Sequence, residues 1–316
     1  MMTGKKDKGA DMGFLSDIFK PGKTVYAEWF RQYGLTDKEL HDLQDCLLSM
    51  LSDILKLCED NDICCIMNSG TMLGAVRHQG FIPWDDDIDI MMFREDYEKF
   101  VKALEREQKS GNYMKYELAV PLVSSDYYFK VPKIFNKDTE YCSINYMGNS
   151  RYNMVPIDVY IIDQVPANRF ARMMHYLIYN FAFYASSFCL DHLYPSPVIE
   201  KESRTNKELR RYYKFRKALG AMFCCLGGIR FYVGLCERLG NYKKNTGLYD
   251  IPSDISYSGM VSAESFYRDV IKCRFSGLEV NVLRDCDRYL KRLYGDYTKI
   301  PEEKDRDFHA AYSIRV

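Results

Sequence analysis

Four aspartates crowd into one short run, Asp85, Asp86, Asp87 and Asp89, between Pro83-Trp84 and the apolar Ile88, Ile90, Met91 and Met92. Carboxylates embedded in such a run are costly unless they are paired or hold a cation. On a strand, side chains alternate faces, so Asp87 and Asp89 share one face and Ile88 and Ile90 the other. Residues two apart lie about 6.5–7 Å from each other at Cα, a spacing from which two carboxylates converge on one ion. Hard oxygen ligands favour Mg²⁺, with Mn²⁺ as the alternative, and Mg²⁺ bridges readily to substrate phosphates. A solvated acidic turn is the bland alternative, and the flanking aromatic and β-branched residues count against it. An EF-hand loop fails on its sixth position, Ile90 where Gly is required, and on its twelfth, Asp96 rather than Glu.

Asp158 lies in a second apolar run, Val155-Pro156-Ile157-Asp158-Val159-Tyr160-Ile161. It is read as a third metal ligand or as the base for an attacking hydroxyl; a strand-edge Asp held by backbone amides is the plain alternative. Ser69-Gly70-Thr71 stands between a short apolar run and a helical stretch. Glycine there admits a phosphate closely, and the helix start offers free amides. Arg77 and His78 follow as adjacent cations for phosphate oxygens, although a histidine at a helix C-terminus is ordinary in itself. Lys133 is picked as a further phosphate contact.

These residues need elements to hold them. Thr36-Asp37-Lys38-Glu39 matches a capping box, and Leu40 to Cys58 then repeats apolar residues at helical spacing, predicting a helix to about Glu59. Ile63–Met67 reads as a buried strand, Met72–His78 as a short helix, the second half of the Asp run as a strand and Arg94–Lys109 as an amphipathic helix. Strands are expected at Tyr113–Val120, Tyr127–Phe135, Thr139–Tyr146 and Val155–Ile162. Residues 167–239 read as helical, with breaks at Pro195-Ser196-Pro197. Short strands at 267–280 and a helix over Asp285–Tyr294 follow, then a polar tail. The order predicts an α/β (α+β) fold: a mixed sheet flanked by helices, with a mostly helical C-terminal region. The expected division is a flexible tail over 1–22, a catalytic core over 23–165, and a region over 166–316 that completes the substrate site.

Composition narrows the partners. The chain of 316 residues carries 44 basic and 44 acidic side chains, and zero net charge argues against a generic nucleic-acid binder. Eleven cysteines without a CxxC pair read as reduced residues of a cytoplasmic protein. No apolar segment follows the N-terminal lysines, so a secretory signal is not supported. Met173–Leu190 is apolar but short for a span and rich in Tyr, which favours a buried helix, with peripheral contact at the inner face of a membrane as its second use.

The stretch Gly70-Thr71-Met72-Leu73-Gly74-Ala75-Val76-Arg77-His78-Gln79-Gly80-Phe81-Ile82-Pro83-Trp84-Asp85-Asp86-Asp87-Ile88-Asp89-Ile90 closely resembles the signature of the LicD family. The family contains bacterial phosphocholine transferases and is related to the fukutin group. The resemblance continues through Val155–Val159 and through Leu293-Tyr294-Gly295-Asp296-Tyr297 to His309. Glu302 after Pro301 and Asn281 depart from its pattern, both away from the acidic run. The resemblance implies a nucleotidyltransferase-like fold with Asp87, Asp89 and Asp158 as catalytic and metal-binding residues. Ser69, Gly70, Thr71, Arg77, His78, Trp84, Asp85, Lys133 and His309 are the candidate substrate contacts. It also implies Mg²⁺-dependent transfer of a substituted phosphate, typically phosphocholine, from a CDP-alcohol to a hydroxyl of a glycan or lipid-linked glycan. A nucleotidyltransferase moving NMP from an NTP, and a non-catalytic binding module, are the competing readings.

Overall fold

A computed structural model describes residues 31–144, 148–253, 260–303, 306 and 311–316. The expected tail over 1–22 and His309 lie outside the described residues. Helix α1 (Asp37–Glu59) starts where the capping box predicts: Thr36 Oγ1 accepts from the Glu39 amide, and the Glu39 carboxylate accepts from the Thr36 amide at 2.9 Å. Its Leu43, Leu47, Met50, Leu51 and Ile54 are buried, so the helix is held by one apolar face. There follow β1 (Ile66–Met67), α2 (Ser69–His78), β2 (Asp89–Phe93), α3 (Arg94–Lys109), β3 (Tyr116–Ala119), β4 (Lys133–Asn136), β5 (Glu140–Ser143) and β6 (Val155–Gln164).

The predicted strand at Tyr127–Phe135 survives only at its end. Tyr127 Oη donates to the Val131 carbonyl at 2.7 Å, and its ring packs against Phe129, Phe135 and Tyr152. That curl consumes the backbone that a longer strand would pair.

Four helices come next: α4 (Arg169–Leu193), α5 (Pro197–Glu202), α6 (Lys207–Leu226) and α7 (Ile229–Gly240). Helix α4 was expected to be buried, yet only one face is. His175, Tyr179, Ala182 and Ala185 point inward while Phe170 and Phe181 stand in solvent. The chain then returns to the sheet through β7 (Leu248–Asp250), β8 (Ser262–Ala263), α8 (Glu264–Arg268), β9 (Val270–Phe275) and β10 (Leu278–Leu283). It ends with α9 (Cys286–Tyr294) and β11 (Ala311–Arg315).

The main sheet runs β3-β4-β6-β2-β1-β10-β9, with β7 on β6 and β8 on β7. The pairs β2/β6 and β1/β10 are parallel and the other main-sheet pairs antiparallel, which confirms a mixed α/β sheet. The division expected at residue 166 is therefore no break in the sheet, because β9 and β10 extend it beyond β1. Asn281, the departure from the family pattern, sits in this seam and donates from Nδ2 to the Cys65 carbonyl at 2.8 Å. The expected polar tail also pairs: β11 lies antiparallel to β5. All eleven cysteines are free thiols, five of them buried.

Helix α3 is tied to β6 by a bidentate ion pair in which Arg94 donates to both Asp163 oxygens at 2.6 Å. Glu237 of α7 lies beside this pair. Burial pushes the Glu237 carboxyl up to about 7, against the Arg94 charge and with the field of Asp163. An acid raised in this way costs stability as pH climbs from its ordinary value, near 4.5, to about 7. Glu237→Gln is thus expected to be more stable than the parent at pH 8, by on the order of 2 kcal/mol, and to lose that advantage by pH 5. Urea unfolding of both proteins across that range checks it.

Candidate active site

Asp89 heads β2 directly opposite Asp158 of β6, and the neighbour of Asp158 on its other side is Lys133, at the head of β4. Opposed residues in a ladder place their side chains on one face, so three adjoining strands present Lys133, Asp158 and Asp89 in a row. Ile88 and Ile90 are fully buried on the other side. Lys133 Nζ donates to both Asp158 oxygens, at 2.5 and 2.7 Å. The Asp158 amide donates to the Ile88 carbonyl at 3.1 Å, which ties β6 to the acidic run.

The run itself is not all strand. β2 begins at Asp89, and residues 85–88 have no regular secondary structure ahead of the ladder. Here the carboxylates of Asp85, Asp86 and Asp87 come within 4.8 Å of one another. Asp86 and Asp87 line a cavity with Lys133, Asp158, Phe129, Tyr141 and Tyr152. Burial holds the Tyr141 phenol well above its usual range, and the fields of Asp86, Asp87 and Asp158 raise it further. Those three carboxylates therefore lie close enough for their charges to reach one phenol. A donor set of hard carboxylate oxygens so close together fits Mg²⁺.

Asp86 was missed by the sequence reading. Strict alternation turns it with Ile88 towards the core, but alternation applies only from Asp89 onward. Its signal was present in the run itself, since 7 % exposure is affordable for a carboxylate only in company.

Helix α2 positions the run. Ser69-Gly70-Thr71 was expected to precede the helix, and instead forms its first turn. Thr71 Oγ1 accepts from the Asp89 amide at 2.8 Å, and the Asn68 amide donates to the Asp89 carbonyl at 2.9 Å. The base of Asp89 is thereby pinned from both sides. Asn68 is fully buried. Its Oδ1 accepts from Tyr289 Oη at 2.6 Å, whereas its Nδ2 has no hydrogen-bond partner among the described residues. Ser69 takes a left-handed φ of 41°, a strained conformation for a non-glycine residue.

The glycines of the turn serve contact. A Cβ on Gly70 would lie 3.2 Å from Asp85 Oδ2, and one on Gly74 would lie 2.5 Å from the Gly80 carbonyl oxygen. Gly70 therefore admits the Asp85 carboxylate, and Gly74 lets the chain fold back after α2.

Other candidates are placed elsewhere. Arg77 Nη1 donates to the Tyr297 carbonyl at 2.6 Å, and its Nε donates to His78 Nε2 at 2.9 Å. Neither residue lines the cavity. Burial, then the Arg77 charge, lowers the His78 pKa, consistent with a neutral ring that accepts. Trp84 stacks under Arg306, whose guanidinium carbon is 4.1 Å from the ring centroid. The structure thus brings Asp86, Asp87, Asp158 and Lys133 to one cavity, sets Asp85 beside Asp86 and Asp87, and places Asp89 opposite Asp158 in the ladder, with Ser69, Gly70 and Thr71 in the first turn of α2, while Arg77 is tied to the C-terminal segment.

Residues 62–187, from just before β1 into α4, match the LicD/FKTN/FKRP nucleotidyltransferase domain. The chain carries a LicD-family domain. This LicD segment holds the whole acidic run, Lys133 and Asp158. The chain is also similar to the lipopolysaccharide cholinephosphotransferase LicD of Haemophilus influenzae, 26% identical over 279 residues that cover 85% of this chain and 95% of that protein. An uncharacterized protein of Rickettsia prowazekii is 35% identical over 96 residues, 30% of this chain and 35% of its own length. The similarity to Haemophilus LicD extends beyond the LicD domain.

Proposed function

We propose that this LicD-family protein transfers phosphocholine from CDP-choline to a hydroxyl of a cell-surface glycan or its lipid-linked precursor, with Mg²⁺. The observation that carries this reading is the mixed lining of one cavity, in which Asp86, Asp87 and Asp158 stand together with Phe129, Tyr141 and Tyr152. Carboxylates suit a metal that binds a diphosphate, and aromatic faces suit a quaternary ammonium. Phe129 already receives a cation, since Lys133 Nζ lies 5.8 Å from its ring centroid. The name of the Haemophilus relative supports the same chemistry.

Asp87 and Asp89, with Asp85 and Asp86 beside them, would hold the metal, which leaves Asp158 as the base. Bound there, the ion supplies charge neutralisation of the diphosphate and of the transition state. The glycan hydroxyl oxygen attacks the phosphorus that bears choline. The bond from that phosphorus to the bridging oxygen breaks, and CMP leaves with that oxygen. Lys133 moves from Asp158 to a phosphate oxygen, and Asp158 takes the hydroxyl proton. Positioning and electrostatics supply the acceleration. Transfer of NMP from an NTP would use the same carboxylates but would leave the aromatic wall without a cationic group to receive.

The test is a panel of CDP-choline, CDP-ethanolamine, CDP-glycerol and CDP-ribitol with a glycan acceptor, read by product mass. Phosphocholine is the expected product. Phe129→Leu keeps the apolar volume and removes the π face. It is expected to raise KM for CDP-choline about 5–30-fold, the worth of a desolvated cation–π contact, and to leave KM for CDP-glycerol nearly unchanged. Equal use of all four donors by the parent protein would contradict the role of the wall.

A further inference from the structure

We propose that the outer face of the helical block α4–α7 docks on an anionic lipid bilayer. Charge is the first observation. The chain is neutral as a whole, yet residues 169–240 carry twelve Lys and Arg against five Asp and Glu, leaving 32 basic and 39 acidic side chains elsewhere. The basic surplus therefore falls in the segment that holds these helices.

Exposure is the second. On α4, Phe170, Met174, Ile178 and Phe181 follow one another at helical spacing and are 68%, 38%, 40% and 50% exposed. The opposite face of α4 packs Tyr179, Ala182, Ala185 and Cys189 against α7, so the stripe is what remains outside. It does not end with α4. The Phe181 ring meets the half-buried Phe223 of α6 at 5.8 Å, and Phe223 and Phe231 both rest on the buried Tyr232, at 5.6 and 5.2 Å. Phe231 and Leu226, at 57% and 68% exposure, then carry the apolar surface onto the elbow between α6 and α7. Large apolar side chains left in solvent on neighbouring helices in this way mark an interaction surface.

The rim decides the occupant. Arg169 and Arg230 are exposed directly beside Phe170 and Phe231. Aromatic and aliphatic side chains with cations at their edge match the acyl boundary and the phosphates of a bilayer surface. Among the described residues no single helix is long and apolar enough to cross a membrane, and α6 and α7 are bent by 80° at their junction. That geometry suits helices lying on a surface, with the elbow dipping into it. A second copy of this chain seated face to face would set one basic surplus against another, which disfavours it.

The proposal is independent of the chemistry assigned to the acidic cavity. Its test is co-sedimentation of the full chain with phosphatidylcholine vesicles and with vesicles that also contain phosphatidylglycerol. Binding to the anionic vesicles is expected, about tenfold weaker on neutral vesicles and weakened by salt. The pair Phe181→Ser with Phe231→Ser should lower the anionic partition about tenfold, as should the pair Ile178→Ser with Leu226→Ser, both with unchanged circular dichroism. Arg230→Glu should lower it several-fold. The second pair keeps the test decisive if the first fails to fold. No binding to anionic vesicles, or undiminished binding by a folded pair variant, overturns the proposal. So does a parent dimer in light scattering that the pair variants convert to monomer.

Discussion

Asp87→Asn is expected to lower the rate of phosphocholine transfer by about three orders of magnitude or more while the protein stays folded. Asp87 lies ahead of β2, outside every ladder, so an isosteric amide disturbs no strand pairing. What it removes is one anionic oxygen donor from a cluster whose members lie within 4.8 Å of one another. It also removes one of three carboxylate fields that reach Tyr141. In the proposed reaction a hard divalent cation would depend on those charges, and the transferring phosphoryl group on the cation. Asp89→Ala should act similarly, because Asp89 stands beside Asp158 in the row of three. The check is kcat together with Mg²⁺ affinity by calorimetry. A weakened Mg²⁺ affinity with intact circular dichroism is the expected pattern. An unchanged kcat for Asp87→Asn would remove the metal assignment.

Arg94→Met should cost about 3–5 kcal/mol of stability near neutral pH, the ordinary penalty for leaving a buried charge without its partner. Asp163 is 5% exposed, and both of its oxygens accept from Arg94. Burial pushes its carboxyl up to about 6 even with Arg94 present. Without Arg94 only the more remote charge of Lys243 offsets that burial. The direction with pH follows from the sign of the shift. An acid raised in the folded state binds its proton more tightly there than in the unfolded chain, so stability returns as pH falls. The Arg94→Met defect is therefore expected to shrink as pH falls towards about 6 and to be smaller at pH 5 than at pH 8, and Asp163→Asn in the same background should recover much of it at neutral pH. Urea midpoints measured at pH 5 and pH 8 check both statements. A defect of equal size at the two values would contradict the account of the pair.

Much of this was legible in the residues, and the rest was hidden for identifiable reasons. Helix α1 was readable because Thr36 and Glu39 act locally, within one turn. The shared cost of Asp87, Asp89 and Asp158 in apolar runs pointed to one site, and the family resemblance put a chemistry to them. Side-by-side placement of Asp89, Asp158 and Lys133 depends on which strands pair, and spacing along the chain does not encode that. Asp86 escaped because only Asp87 and Asp89 were paired on one strand face, whereas residues 85–87 lie ahead of the strand and gather without regard to alternation. Arg77 was read as a phosphate ligand because its partner, the Tyr297 carbonyl, lies 220 residues away. The aromatic wall was invisible for a similar reason. Phe129 stands on a segment curled by the Tyr127 hydroxyl, and Tyr141 and Tyr152 reach the cavity from separate elements. From 26 tyrosines in the sequence, no local pattern singles out those two. The tail became β11 for want of any local signal, since its pairing partner is β5.

The central claim is that the acidic cavity passes an alcohol phosphate, and not a nucleotide, to a hydroxyl. The most direct measurement is the small-molecule product released when the purified protein, Mg²⁺ and a glycan acceptor are incubated with CDP-choline or, separately, with nucleoside triphosphates. CMP released from CDP-choline in step with phosphocholine gained by the glycan is the predicted result. Pyrophosphate released from a triphosphate, with the nucleotide retained on the acceptor, would contradict it.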